Sequence, residues 1–505
     1  MANHLEFFRK HFLLGCIITT TLIWLAFRPI YFANVDEHNY LLSAARIANG
    51  SSLQLTEIWQ QPAGFENQSA KYISKYNIGA SLWYSLPMGI AGVEGVLIWA
   101  WLTFLALLVV ADRIRKHYQL SVFWISIVAL NPIIIYYART AFSELPAALL
   151  LVTGFFAALK LINWDGLSQR WLWGLVLGSS LGAMVLVRYS LAIWALLLVS
   201  ALALSAIQHY GIRRFWQAKL NFLPSFLAII IGSLPALLVL LVVNSTLYGS
   251  VLSSGYKFSG EEIFNLGLLP QRLGSYLLHI NVLPPFLLLF ALFAKQKLSK
   301  LILIFTIILI LFHSVAGGFL FQGELSDSII GLRFLVPILP LLCLNYASSL
   351  QAVKFNSLLK SLILILLTGS FLLSSIFLSY QHQNFLAERV ENAQVVRQLI
   401  SKLDSNATLL IGDEEDMIYL NPGIDLAARN IGYLNINDYL NNKINTSNFE
   451  IILFMEVSYS NNLQRPSKLM LKSLEDLQDG ARDKINLVAS ADKIKIYQLK
   501  TIAAD

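Results

Sequence analysis

The sequence predicts an all-α polytopic membrane domain of about eleven spans with helices in its exterior loops, followed by a small soluble α/β domain. Of the 505 residues, 56% are hydrophobic and 13% are charged, and the mean hydropathy is +0.61. That charged fraction is about half the usual one for a soluble protein. Apolar stretches such as residues 145–161, 222–243 and 362–378 are long enough to cross a hydrocarbon core of about 30 Å. These observations exclude a cytosolic enzyme.

Apolar windows locate the individual spans. They centre near residues 12–32, 95–111, 120–138, 145–162, 171–187, 190–207, 222–243, 281–294, 301–316, 334–353 and 361–380. Residues 76–92 are apolar too, but Pro87, Gly89 and Gly92 interrupt them. We interpret this stretch as an interfacial or re-entrant helix, because a further span here would invert every later loop.

Basic residues predict the orientation of the spans. With a cytoplasmic N-terminus, most of them fall in short cytoplasmic loops that contain few acids, which is the positive-inside pattern of a multi-pass protein of the inner or plasma membrane. The exterior face then has the long segments 33–94 and 244–280. Because the basic residues form no continuous groove or stripe, a nucleic-acid partner is not expected.

The chain changes character at residue 381. Residues 381–505 contain 13 Lys+Arg and 17 Asp+Glu, with short apolar runs at 407–411 and 451–455 and a helical period at 391–403. We therefore divide the chain into a transmembrane domain, 1–380, and a small α/β domain, 381–505, which the last span brings to the exterior (periplasmic) side.

An acidic pair follows the first span. Apolar residues recur at helical spacing through residues 41–48, and Gly50 offers a stop, so residues 34–50 are expected to form an amphipathic helix on the membrane surface. Asn34 can cap this helix, and Glu37 is placed to reach back to the cap. Asp36 is stabilised as an anion at a helix N-terminus and could accept a proton from an incoming hydroxyl.

Such an acidic pair resembles the signature of the GT-C class of integral-membrane glycosyltransferases, which includes protein O-mannosyltransferases and the lipid A aminoarabinose transferase. Further stretches resemble bacterial members in the same order: Lys75 to Gly79 leading into residues 82–87, Tyr137 to Pro146 with its acid Glu144, Tyr248-Gly249 with Gly255-Tyr256, and Arg333 to Pro340. Asn77 and Phe334 stand where these members usually have proline and tyrosine. The resemblance covers roughly residues 12–345.

This resemblance implies transfer of a sugar from a polyprenyl-phosphate carrier to a lipid, glycan or protein acceptor on the non-cytoplasmic side, usually with inversion. Asp36 matches the general base of the class. A lipid-phosphate leaving group needs cations near the membrane surface, and arginine can bind phosphate oxygens with two N–H groups. The expected substrate-binding residues are Glu37, Lys75, Tyr76, Arg139, Glu144, Tyr256 and Arg333.

Several of these residues have other interpretations. Arg139 and Arg188 could extend from span ends to lipid headgroups. Glu144 could be a counter-ion for Arg139 or a helix cap, or it could hold a divalent cation together with Glu37. Arg333 is the stronger phosphate candidate, because it begins a span on the face that the positive-inside rule disfavours for a cation.

Two rival functions remain open at this point. A transporter or flippase of lipid-linked sugars predicts broken spans with charges at the bilayer midplane, and often repeat symmetry. An enzyme similar to an O-antigen ligase would have its catalytic loop late in the chain. The acidic motif here is early, and no internal repeat is visible, so we favour the glycosyltransferase.

Overall fold

The structure is a computed structural model. It describes residues 2–32, 34–53, 65–68, 71–74, 76–162, 167–217, 219–255, 266–282, 288, 297–315, 332–353, 356–400, 408–411, 431–433, 452–457, 485–491 and 494–499.

Helices dominate the described chain up to residue 400. They are α1 (Ala2–Ala26), α2 (Val35–Ala48), α3 (Ile78–His117), α4 (Ser126–Ala129), α5 (Pro132–Tyr137), α6 (Glu144–Ile162), α7 (Leu167–Val187), α8 (Ala192–Gln217), α9 (Lys219–Tyr248), α10 (Leu269–Val282), α11 (Lys297–Val315), α12 (Leu339–Ala352) and α13 (Ser357–Ile400). Short 3₁₀ turns occupy Val122–Ile125, Tyr189–Leu191, Leu266–Leu268 and Leu332–Leu335.

The apolar helices have the architecture of a polytopic membrane protein. Among the described residues, five helices are long and apolar enough to cross a bilayer, namely Ile78–His117, Glu144–Ile162, Ser168–Val187, Leu223–Tyr248 and Ser357–Glu391. Shorter apolar helices cover His11–Ala26, Tyr189–Leu204 and Lys300–Val315. Most of the predicted span at 281–294 lies outside the described residues, so the total of about eleven spans stays a prediction.

Residues 120–138 differ from the single span that the sequence predicts. The structure divides them into a 3₁₀ turn, α4 and α5. Pro132 is the first residue of α5 and has no N–H to continue the preceding helix. Asn131 caps the new helix, with Oδ1 accepting from the amides of Ile133 and Ile134 at 3.1 and 3.3 Å. Residues 120–138 are apolar, as the prediction requires, but one helix ends at Ala129 and a new one begins at Pro132.

Helix α3 bends where the sequence predicts a break. Ala91 and Gly92 leave helical geometry, and Gly92 has φ +59°, a left-handed conformation that favours glycine. The limb before the bend packs Tyr84 and Met88 against Leu41 of α2 in one buried cluster. The bend therefore lets residues 78–90 support α2 while the later limb continues as a long apolar helix. The interfacial position of the first limb stays a prediction.

Helices α7 and α9 approach closely through glycines. A Cβ on Gly178 would lie only 2.0 Å from the Ile229 carbonyl oxygen, and one on Gly232 would lie 2.5 Å from that of Leu175. Small residues allow such backbone contact between helices in a membrane. This contact holds α7, whose C-terminal end leads directly into Arg188.

The C-terminal region adds strands to the helical part. β3 (Thr408–Ile411) pairs in parallel with β4 (Ile431–Tyr433) and β5 (Ile452–Val457), while β7 (Ile494–Leu499) pairs antiparallel with β5 and with β6 (Ile485–Ala491). A separate hairpin joins β1 (Phe65–Gln68) to β2 (Lys71–Ser74). Helix α13 runs unbroken past residue 380. The domain boundary at 381 and the α/β character of the C-terminal domain stay predictions.

Candidate active site

Helix α2 holds the acidic pair in a fixed position. The Asn34 side chain accepts a hydrogen bond from the Asp36 amide at 2.9 Å, as the sequence predicts for a cap. Gly50, at φ +65°, lies just beyond the C-terminal end of the helix. Because Leu41 and its neighbours are buried against α3, the first turn of α2 presents Asp36 from a packed helix.

Asp36 is bonded on both carboxylate oxygens. The Tyr76 hydroxyl donates to Oδ1, and Arg333 Nη1 donates to Oδ2 at 2.7 Å. The Asp36 and Arg333 side chains retain 17% and 14% of their exposure, so the pair is largely but not fully enclosed. Asp36, Tyr76 and Arg333, which the sequence selected separately, are therefore in direct contact.

Glu144 and Arg188 extend this pair into a larger group. Glu144 begins α6, and its Oε1 lies 2.6 Å from Arg188 Nη1 and 4.0 Å from Arg333 Nε. Acidic and basic side chains thus alternate in the order Asp36, Arg333, Glu144, Arg188, and we call these four residues the charge cluster. The interpretation of Glu144 as a counter-ion for Arg139 was wrong, because its arginine partners are Arg188 and Arg333.

Both guanidinium groups of the charge cluster are cations. Burial lowers the pKa of Arg333, but Asp36 and Glu144 outweigh this effect and raise that pKa above its usual value. The pKa of Arg188 is likewise raised, because Glu144 overcomes the cost of burial. Buried side chains can stay ionised when each has a hydrogen-bonded partner of opposite charge. The two carboxylates and two guanidiniums of the charge cluster together have a net charge close to zero.

Aromatic rings support the two arginines. The Phe334 ring centroid lies 4.8 Å from Arg333 Cζ and 5.2 Å from Arg188 Cζ, within the range of a cation–π contact. The His313 ring stacks on Phe334 with centroids 4.2 Å apart. Phe334 therefore contacts both guanidiniums, and the buried His313 ring packs against Phe334 through this stack.

Glu37 has a different role from Asp36 in the structure. Its side chain is buried, and Oε1 accepts from the Ala141 amide at 2.8 Å. This bond ties α2 to the loop that precedes α6, a connection that the capping interpretation did not anticipate. The next residue, His38, bonds the Phe32 carbonyl at 3.1 Å, and burial lowers its pKa to about 4, so its ring is neutral near pH 7.

Among the described residues, Arg139 is buried beside neutral hydrogen-bond partners. Its Nε and Nη2 donate to the Phe27 carbonyl at the end of α1, the former at 3.1 Å, and Nη2 also reaches Gln383 Oε1 of α13 at 3.4 Å. We call this arrangement the Arg139 clasp. Its side chain is fully buried, so the interpretation that it extends to lipid headgroups was wrong. Burial lowers its pKa to about 10.

Lys75 and Tyr256 lie outside the described residues, so their predicted contacts with substrate stay predictions. The chain next to Lys75 is held by the Tyr248 hydroxyl, which donates to the Ser74 carbonyl at 2.8 Å, and by the Tyr76 amide, which donates to Ser74 Oγ at 3.2 Å. Tyr248 belongs to the Tyr248-Gly249 motif that the sequence selected. Its bond to Ser74 places this motif beside the residue that precedes Lys75.

A metal site is not apparent in the described part of the chain, where no group of three or more His, Cys, Asp or Glu side chains could hold an ion. Glu144 is engaged by Arg188 and Glu37 by the Ala141 amide. Hard cations require several oxygen ligands. The divalent cation between Glu37 and Glu144 therefore stays a prediction that these contacts do not support.

The sequence does not identify Arg188 as a site residue, because an arginine at the end of a span is equally expected to extend to lipid headgroups. A signal was present, because Arg188 follows a predicted span on the exterior face, where the positive-inside rule disfavours a cation. The same argument selected Arg333. Its partner Glu144 is 44 residues earlier in the chain, and no local pattern connects the two positions.

Similarity to known proteins is found in the fold and not in the sequence. No protein-family model and no curated protein sequence matches the chain. Two crystal structures of ArnT from Cupriavidus metallidurans match its fold. The apo structure has a TM-score of 0.62 at 12% identity and covers 97% of this chain and 98% of ArnT. The structure bound to undecaprenyl phosphate has a TM-score of 0.61 at 12% identity, covering 96% and 98%. The expected resemblance to GT-C glycosyltransferases is confirmed at the level of the fold.

Proposed function

We propose that this chain is a membrane glycosyltransferase that moves a sugar from a polyprenyl-phosphate donor to a lipid, glycan or protein acceptor, with inversion at the anomeric carbon. The observation that carries the proposal is the Asp36 carboxylate, held between the Tyr76 hydroxyl and the Arg333 guanidinium at the head of α2. An ArnT-like fold over nearly the whole chain supports it, and so does the undecaprenyl phosphate bound in one of the ArnT structures.

Asp36 acts as the general base. Its carboxylate takes the proton of the acceptor hydroxyl as the oxygen attacks the anomeric carbon, and the bond from that carbon to the phosphate oxygen breaks. The leaving group departs as polyprenyl phosphate, and the proton on Asp36 then passes to solvent. Tyr76 orients the carboxylate through its hydrogen bond to Oδ1.

Arg333 stabilises the charge that develops on the leaving phosphate. Its Nη1 bonds one carboxylate oxygen of Asp36 at 2.7 Å, and a phosphate could accept from two of its N–H groups. The donor phosphate can therefore take the place of Asp36 beside Arg333, which leaves the carboxylate able to accept a proton. Arg188 keeps Glu144 paired during this exchange.

The predicted orientation places this chemistry on the non-cytoplasmic face, with the C-terminal domain on the same side. Labelling of single cysteines, Ser52→Cys and Ser467→Cys, with an impermeant thiol reagent in intact cells tests this. Both positions should label. Labelling at position 52 alone would put the C-terminal region on the opposite side and make the number of spans wrong by one.

The test of the function is the mass of the product. Purified protein should add one sugar to an acceptor when given candidate polyprenyl-phosphate sugars, and it should release polyprenyl phosphate. A flippase would instead move the intact lipid-linked sugar between the leaflets of a vesicle without forming a product. Movement without transfer for every donor and acceptor tried would therefore favour the rival function.

A further inference from the structure

The segment that leads into α3 docks on the C-terminal end of α7. The buried Asn77 side chain donates from Nδ2 to the Val187 carbonyl at 3.3 Å. Val187 is the last residue of α7, and carbonyl groups in the last turn of a helix lack partners within it. Gly79 approaches the same helix end, because a Cβ on it would lie 2.5 Å from the Leu186 carbonyl oxygen and 2.6 Å from the Val187 amide nitrogen. A larger residue at position 79 would therefore push the segment away from α7.

A second helix end holds the same segment. Tyr248, the last residue of α9, donates its hydroxyl to the Ser74 carbonyl at 2.8 Å. Helices α7 and α9 run parallel, because glycines of α7 meet residues of α9 in the same order along both helices, namely Gly174 with Ser225, Gly178 with Ile229 and Gly182 with Ser233. Their C-terminal ends therefore lie on the same side of the bundle, where they hold residues 74 and 77.

Tyr76 lies between these two points of attachment. It belongs to neither β2 nor α3, so the position of its side chain depends on what holds its neighbours. Its amide donates to Ser74 Oγ at 3.2 Å, and its ring centroid lies 5.3 Å from that of Tyr40 on α2. Its hydroxyl donates to Asp36 Oδ1. The attachment of residues 74 and 77 to α9 and α7 thus bears directly on the carboxylate of the proposed base.

Asn77 is in the N-cap position of α3 but does not cap this helix. Its backbone has φ −63° and ψ 133°, and its side chain makes no capping hydrogen bond, although an asparagine at this position commonly accepts from the amides of the first turn. Its amide group bonds α7 instead. Within the described chain, its buried Oδ1 has no hydrogen-bond partner, which costs stability. Stability alone therefore does not explain an asparagine at this position.

We propose that Asn77 is a positioning residue for the transfer reaction, which holds the Tyr76 hydroxyl against Asp36 by tying the segment to the parallel pair of α7 and α9. Asn77 acts through Tyr76 and does not itself contact the reacting atoms. The residue that follows α7 is Arg188, which pairs with Glu144, so one helix end supports two parts of the charge cluster. This inference rests on the proposed function for the role of Asp36 as the base.

The dependence of kcat on pH tests the positioning. Loss of the hydrogen bond from Tyr76 makes the Asp36 carboxylate easier to protonate, so the acid limb of the kcat profile should move to higher pH. Tyr76→Phe should move it by about one pH unit. Asn77→Ala and Tyr248→Phe should move it in the same direction by less, because they retain the Tyr76 hydroxyl but loosen its attachment. A variant that was merely less stable would lose activity without moving this limb.

A double variant and a matched control sharpen this test. Asn77→Ala combined with Tyr76→Phe should move the acid limb no further than Tyr76→Phe alone, because both changes act on one hydrogen bond. Ser375→Ala removes a comparable bond from a buried side chain to the Leu130 carbonyl, 2.8 Å long, and should leave the acid limb in place. An acid limb in Asn77→Ala that matches wild type would overturn the proposal.

A double-mutant cycle on thermal unfolding tests the same contacts without requiring transfer. The decrease in Tm caused by Tyr76→Phe should be smaller in the Asn77→Ala background than in wild type, and additive decreases would overturn the proposal. Tyr248→Phe takes the place of Asn77→Ala in both measurements if that variant does not fold. Coupling between Asn77 and Tyr76 in a protein that transfers no sugar would support the positioning of Tyr76 and reject the proposed function.

Discussion

The charge cluster and the Arg139 clasp each contain a buried arginine that the sequence assigned to phosphate binding, but the partners of the two arginines differ. Arg333 bonds Asp36 and lies near a second carboxylate, Glu144. Arg139 bonds the neutral Phe27 carbonyl and the neutral Gln383 amide. Their pKa values move in opposite directions, since the carboxylates raise that of Arg333 whereas burial lowers that of Arg139 to about 10.

On the proposed function, this difference would separate an exchangeable cation, Arg333, from a structural one, Arg139. A phosphate can replace a carboxylate beside Arg333 because both offer anionic oxygens in similar geometry. Replacing the Phe27 carbonyl beside Arg139 would instead remove a contact that links the end of α1 to α13. Charge and burial do not by themselves identify a substrate-binding arginine, and the nature of its partner is the better guide.

The largest effect is expected for Asp36→Asn, which keeps the shape of the side chain but removes the proton acceptor. Turnover should fall at least about 100-fold, the usual contribution of general base catalysis, while expression and folding stay near normal. Glu37→Gln is the matched variant, because a glutamine oxygen can still accept from the Ala141 amide and a smaller loss is expected. Equal losses in the two variants, or full activity in Asp36→Asn, would contradict the assignment of the base.

A somewhat smaller effect is expected for Arg333→Ala. Removing a group that stabilises the charge of the leaving phosphate should cost about 100-fold in kcat/KM for the donor and should affect the acceptor less. Arg333→Lys should recover part of the activity, because a point charge lacks the planar pair of N–H donors. Steady-state kinetics with donor and acceptor varied separately measure this, and unchanged donor kinetics in Arg333→Ala would contradict its assignment to the leaving phosphate.

Arg188→Lys should reduce turnover about tenfold, because the ammonium can still pair with Glu144 but lacks the planar guanidinium that contacts the Phe334 ring. The relevant comparison is Arg188→Gln, which removes the nearer arginine from the buried Glu144 carboxylate and leaves it with Arg333 Nε at 4.0 Å, so thermal stability should also fall. The double variant Arg188→Gln with Glu144→Gln should recover part of that stability. If it were less stable than Arg188→Gln alone, the two residues would not be acting as a pair.

The smallest effect on turnover is expected for Arg139→Gln. Turnover should stay within about threefold of wild type while the free energy of unfolding falls by about 1–3 kcal/mol, because a buried carbonyl loses part of its hydrogen bonding. Thermal unfolding in detergent and activity at a temperature well below the transition measure the two effects separately. A large loss of turnover at unchanged stability would make Arg139 part of the transfer site.

Local patterns in the sequence predicted the parts of the site that depend on neighbouring residues. Asn34 caps α2, and Asp36 lies in the first turn, because capping and helical spacing are encoded within a few residues. The restart of the helix at Asn131-Pro132 was also encoded locally, but the apolar composition of residues 120–138 concealed it. Reading helix start signals inside an apolar stretch would have found it.

Partners that are distant in the chain could not be predicted in the same way. Glu144 pairs with Arg188 because the close contact of α7 with α9 fixes the end of α7, and glycine positions alone do not reveal that packing. Arg139 is buried because α13 passes over it, 244 residues further along the chain. The sequence identified Arg139 and Arg188 as cations at exterior span ends. The tertiary fold decided which of these two arginines faces a carboxylate.

Binding of polyprenyl phosphate to the matched variants Arg333→Gln and Arg139→Gln tests the central claim most directly. Loss of a charged hydrogen-bond partner should weaken binding to Arg333→Gln at least about tenfold relative to wild type, whereas Arg139→Gln should bind within about twofold of wild type. Equal losses in the two variants, or a loss confined to Arg139→Gln, would contradict the assignment of Arg333 as the exchangeable cation and Arg139 as the clasp.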